Sequence, residues 1–164
     1  MALLRRRTVP EPVRAVTLGP GDRRVAWALT PDGAPVVAAE LGLYLPGRER
    51  LDWSDVEKAV WSRPVLTVTE VAEVEGSGAA YDVELSGDGD LPEAVRARVT
   101  ASVAWSSHTR LGAAGGGVRV VGRRLPGREV LSWQLVYDRD SDLGDPLVRA
   151  QAEQVLLAAR RTVG

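Results

Sequence analysis

Short apolar runs that end at clusters of glycine and proline restrict the fold of this chain more than any other feature. The clusters are Gly19-Pro20-Gly21-Asp22, Pro31-Asp32-Gly33, Pro46-Gly47, Gly76-Ser77-Gly78 and Pro126-Gly127-Arg128. Glycine accepts positive φ and proline pre-sets the first turn position, so each cluster favours reversal of the chain. The runs between them, at 13–18, 24–30, 36–45, 48–52, 65–74, 80–85, 118–125 and 130–137, are short and rich in valine, which predicts strands in hairpin order.

Three segments depart from that pattern. Leu51 to Trp61, LDWSDVEKAVW, places Trp53 and Trp61 around a Ser54/Glu57 capping box and predicts one or two helical turns over 54–60. Residues 95–105 satisfy two periods at once: Val95, Val99 and Val103 suit a helix, whereas Val95, Ala97, Val99, Ala101, Val103 and Trp105 suit a strand. A helical turn at 91–94 running into a strand is the reading adopted. At the C-terminal end Asp145 is a good N-cap and Pro146 suits the first helical position. Val148, Ala152, Val155, Leu156, Ala159 and Val163 then form one apolar stripe, predicting an amphipathic helix over 145–162.

A chain of 164 residues suits a single domain, with 1–12 expected to be a flexible tail. There is no Phe, so five Trp supply the bulky apolar surface. A formal net charge of -1 gives no reason to expect nucleic acid as a partner. The absence of Cys removes disulfides and thiolate chemistry and suits a reducing compartment. MALLRRR is followed by Val9-Pro10-Glu11-Pro12 rather than by an apolar run, so neither a signal peptide nor integral membrane association is expected, and the expected location is cytoplasmic.

Several motifs fall short of chemistry. Asp138-Arg139-Asp140-Ser141-Asp142 spaces carboxylates as a calcium loop begins, but Leu143 replaces the turn glycine and Arg149 the bidentate Glu. His108, the sole histidine, shares a strand face with Ser106 but has no orienting carboxylate nearby in sequence. The glycines from 112 to 117 precede Val118-Arg119 where a phosphate loop needs Lys-Ser/Thr. No catalytic residue, metal site or cofactor is therefore expected. Dispersed carboxylates such as Asp52, Asp55 and Glu57 leave an enzyme as the least favoured class.

The run at 36–45 leading into Leu51-Asp52-Trp53-Ser54-Asp55-Val56 and Trp61, with 96–103, 118–121 and the closing helix, resembles small uncharacterised actinobacterial proteins with a pleckstrin-homology-like fold. The resemblance implies a mostly β domain with a C-terminal α-helix, a split β-barrel capped by one amphipathic helix. It also directs attention to the loop between the first two strands, where some pleckstrin-homology domains hold anionic headgroups and where this chain has Arg23 and Arg24. With Trp61 and Arg63 these are the candidate contacts for an anion or a partner. The expected function is a non-enzymatic binding or scaffolding module for a protein or peptide, through a sheet edge or the groove beside the C-terminal helix. The alternative is a barrel for a small ligand or lipid headgroup.

Overall fold

The computed structural model describes residues 8–72, 78–87, 89–112 and 116–163. The chain separates into two compact units, Met1–Val99 and Thr100–Gly164, and each is described by itself.

The first unit opens with a short helix α1 (Glu11–Arg14) where a strand over 13–18 was expected. Pro10 precedes it with extended geometry, Glu11 occupies its first turn, and Val13 is fully buried. The expected tail at 1–12 therefore includes the start of this helix, and 1–7 lie outside the described residues. Strands β1 (Arg24–Leu29), β2 (Pro35–Ala39), β3 (Gly42–Tyr44) and β4 (Leu51–Asp52) form one antiparallel sheet in sequential order. The run at 36–45 is two strands rather than one. Gly42, the first residue of β3, lets β4 approach closely, since a Cβ there would lie 2.5 Å from the Leu51 carbonyl oxygen.

A 3-10 turn over Trp53–Asp55 interrupts the chain after β4, and β5 (Val56–Ser62) begins a second sheet with β6 (Val65–Glu70) and β7 (Ala80–Glu84). The helix predicted over 54–60 is thus the end of that 3-10 turn followed by a strand from Val56. Val56, Ala59 and Trp61 find partners along β6 (Trp61 opposite Leu66), and that ladder outweighs the local capping signal. The 3-10 turn also overturns the barrel. The sheets run β1-β2-β3-β4 and β5-β6-β7, and neither closes. A split barrel would need the ladder to continue through Trp53–Asp55, where the backbone turns instead.

Both sheets contribute to one apolar core. Ala26, Ala28, Val36, Ala38, Leu43 and Leu45 meet Trp53, Val56, Leu66, Val68 and Leu85, together with Leu91 and Val95 from helix α2 (Leu91–Ser102). The contest between periods at 95–105 is settled by this core: Leu91 and Val95 are fully buried and Val99 packs against the cluster, so helical spacing holds through Ser102.

In the second unit β8 (Val103–Arg110), β9 (Gly117–Arg124) and β10 (Leu131–Tyr137) form an antiparallel sheet in the order β10-β9-β8, followed by helix α3 (Pro146–Val163). Arg123 Nη1 donates to Ser102 Oγ at 2.7 Å, and Arg124 Nη1 donates to the Ala101 carbonyl at 2.8 Å. Both bonds fasten β9 to the point where the chain leaves helix for strand. α3 starts as predicted: the Leu147 N–H donates to Asp145 Oδ1 at 2.8 Å. Its Val148 and Ala152 bury against Leu111, Val118, Leu135 and Tyr137 on one face of the sheet, while Val163 of the predicted stripe is exposed. Trp105 and Trp133 meet edge to face at 5.7 Å, both opposite Gly122, where a Cβ would crowd the Trp133 ring at 3.1 Å.

Candidate functional site

The expected anion loop is occupied by the protein's own groups. The Asp22 side chain is fully buried. It accepts hydrogen bonds from the Arg23 N–H (3.0 Å), the Leu41 N–H (2.9 Å) and the Tyr44 hydroxyl (3.0 Å), with Arg50 Nη1 at 3.7 Å. Tyr44 Oη in turn accepts from the Gly19 N–H at 2.8 Å. Arg50 also pairs with Asp52 at 2.7 Å, and this contact, set against partial burial, holds the guanidinium above its ordinary pKa. Asp22→Ala strands the Leu41 N–H and the Tyr44 hydroxyl and should cost about 2–3 kcal/mol. A denaturant midpoint equal to wild type would contradict that.

Arg23 pairs with Glu40 through two bonds of 2.9 and 3.3 Å. Arg24 donates to the carbonyls of Val13, Arg14 and Val16, clamping the end of α1. Both sequence candidates thus have partners within the protein, although the Arg23 side chain remains 78% exposed. Arg63 stands exposed in the turn between β5 and β6 and likewise has an interaction within the protein. Trp61 lies elsewhere, half-buried in the wall of a groove of about 620 Å³ between β5, β6 and the start of α2. The structure thus does not gather these four residues into one site.

The dispersed carboxylates do not converge either. Asp52 faces Arg50, whereas the Asp55 carboxyl is pushed up by partial desolvation first and by neighbouring Asp52 second. Glu57 lies on β5 and has its own partner. The acidic loop at 138–142 is used structurally. Asp142 Oδ1 accepts from the Gly144 N–H, and Ser141 Oγ bonds both the N–H and the carbonyl of Gly117. Asp138 supplies the carboxylate that His108 lacked in sequence, with Oδ2 2.8 Å from His108 Nε2. The pair reaches across β9 because Gly117 has no side chain: a Cβ there would lie 2.7 Å from His108 Nε2. Ser106 makes no hydrogen bond to this pair, so a nucleophile, base and orienting acid are not assembled.

An open edge and a groove come together in the second unit. β8 is the outer strand of its sheet, and among the described residues nothing pairs with its far side. The Leu111 N–H bonds the Gly116 carbonyl toward β9, and the Asp138 N–H bonds the Gly117 carbonyl toward β10. Strand alternation then turns the N–H and C=O of Ser106, His108 and Arg110 away from β9. Beside that edge a groove of about 440 Å³ is lined by Thr109, Arg110, Leu111, Leu147, Gln151 and Val155. Leu147 is 73% exposed at the mouth, and Arg110 makes no side-chain hydrogen bond or ion pair with a described residue.

No family model, curated protein or solved structure matches this chain. The site must therefore be read from its own chemistry. Among the described residues no helix is long and apolar enough to cross a membrane, and no group of three or more acidic or histidine side chains is placed to hold a metal ion.

The β8 edge was not legible beforehand, because strand order in the sheet depends on pairings that no single segment reveals. The period-two run through Val103 and Trp105 was the available signal for the strand itself. The Asp138–His108 contact spans thirty residues in sequence and depends on Gly117 lying between them.

Proposed function

We propose that this protein is a non-enzymatic binding module that captures an extended segment of a partner protein by adding it as a fourth strand beside β8. The observation that carries this reading is the coincidence of an unpaired strand edge with an apolar groove along α3. An exposed edge presents unsatisfied backbone donors and acceptors, which an incoming peptide bonds in sequence-independent fashion, while pockets for alternate side chains supply specificity. Here the groove accepts one apolar side chain between Leu111, Leu147 and Val155. Arg110, with no side-chain partner among the described residues, favours an acidic residue beside it. The occupant is thus an extended peptide with an apolar and an acidic residue on neighbouring turns of the strand pleat. Arg23 and Arg24 are already held by Glu40 and by the carbonyls of α1, which favours the β8 edge over that loop as the binding surface.

Selection of linear peptides from a phage-displayed library against the full chain tests this. The enriched peptides should carry that pair of residues. Ser106→Pro removes one outward N–H while leaving the inward ladder to β9, and Leu147→Asp places a charge at the groove mouth. Each should weaken binding about tenfold or more, with the thermal midpoint held. Enrichment of nothing, or of peptides indifferent to both substitutions, would contradict the proposal.

A further inference from the structure

We propose that the Trp61 groove of the first unit is a separate small-molecule site, selective for a flat apolar body bearing a single carboxylate. Its volume of about 620 Å³ falls within the 300–1,000 Å³ usual for such sites. The apolar wall comes from Ala59, Trp61 and Leu66 on the second sheet and from Pro92 on α2. Glu93 and Arg96 stand on the same rim, three positions apart on α2. Two charged groups on that rim are unspent, since neither Glu93 nor Arg96 has a side-chain partner among the described residues, and the Trp61 indole N–H likewise makes no hydrogen bond with one. The contrast with Trp53, whose Nε1 donates to the Ala39 carbonyl at 3.0 Å, is direct.

The chemistry of that rim specifies the ligand. A planar ring lies against the Trp61 face and Pro92, its carboxylate on the Arg96 guanidinium, which offers a planar fork of donors. Glu93, adjacent on the rim, repels a second negative charge and accepts from an N–H donor on the ligand, which favours a monoanion with a neighbouring amine or amide. The inference is independent of the β8 site, because every groove residue belongs to the first unit.

Titration of the full chain with indole-3-acetate, L-tryptophan and tryptamine, followed by two-dimensional amide NMR, separates the contributions. Indole-3-acetate and tryptophan should give saturable shifts confined to Ala59, Trp61 and the first turns of α2, with tryptophan the tighter. Tryptamine, lacking the carboxylate, should bind about tenfold more weakly than tryptophan or not at all. Arg96→Gln, at an exposed position, should cost the two carboxylates about tenfold in affinity while leaving the spectrum otherwise unchanged. The site is overturned if no probe gives saturable shifts, if tryptamine binds as tightly as tryptophan, or if Arg96→Gln leaves carboxylate affinity at the wild-type value.

Discussion

Trp53→Ala lowers the unfolding free energy of the first unit by about 3–5 kcal/mol, the range for deleting a buried aromatic side chain. Trp53 is only 5% exposed and packs into the cluster shared by both sheets. It also holds the one turn that separates those sheets, its Nε1 donating to the Ala39 carbonyl and its backbone N–H to the Leu41 carbonyl. The substitution therefore opens a cavity and strands a carbonyl together, so little relaxation can offset it. Trp53→Phe retains most of the apolar volume but not the hydrogen bond, and should cost about 1–2 kcal/mol. Urea unfolding of both variants measures the difference. A Trp53→Ala midpoint equal to wild type would mean that the turn and the core do not depend on this side chain.

Ala152→Asp is the corresponding test in the second unit. Ala152 is fully buried where α3 lies on the sheet, facing the cluster of Leu111, Val118, Leu135 and Tyr137. A carboxylate there has no cationic partner in the cluster and costs about 3–5 kcal/mol if it stays ionised and buried, or detaches the helix. Detachment exposes the Leu135 face of β10 and Val118 of β9, so the variant should bind a hydrophobic dye and lose helical signal. Ala150→Asp, two positions away on the exposed side, is the control and should leave both signals within error of wild type. Equal behaviour of the two variants would remove α3 from the core of this unit.

What could be read from the residues followed the range over which each signal acts. The C-terminal helix was legible to its first residue because the Asp145 cap, Pro146 and the Val148–Ala152 spacing all act within two turns. The hairpin of β1 and β2 was legible for the same reason, since Pro31-Asp32-Gly33 closes it locally. Closure of the sheets was not, because it depends on whether the ladder survives the passage from Asp52 to Val56. The Ser54/Glu57 pattern there suggested a helix, and a 3-10 turn followed by a strand is what forms. The site residues divide along the same line. Trp61 was singled out for its own character and does line a groove, whereas Arg23 and Arg24 looked available until Glu40 and the carbonyls of α1 came into contact with them. Arg96, Arg110 and Leu147 carried no signal of their own. Each is an ordinary surface residue until an edge or a groove is placed beside it.

The strand-addition proposal makes an alternating demand on the backbone of β8, and amide hydrogen exchange measures it residue by residue. In the free chain strand alternation directs the amides of Ser106, His108 and Arg110 away from β9, while those of Trp105, Ser107 and Thr109 face it. With a library-selected peptide bound, exchange should slow about tenfold or more at 106, 108 and 110 and change little at the alternate positions. Uniform slowing along β8, or none at the three outward amides with the peptide at saturation, would contradict capture of the partner as a strand.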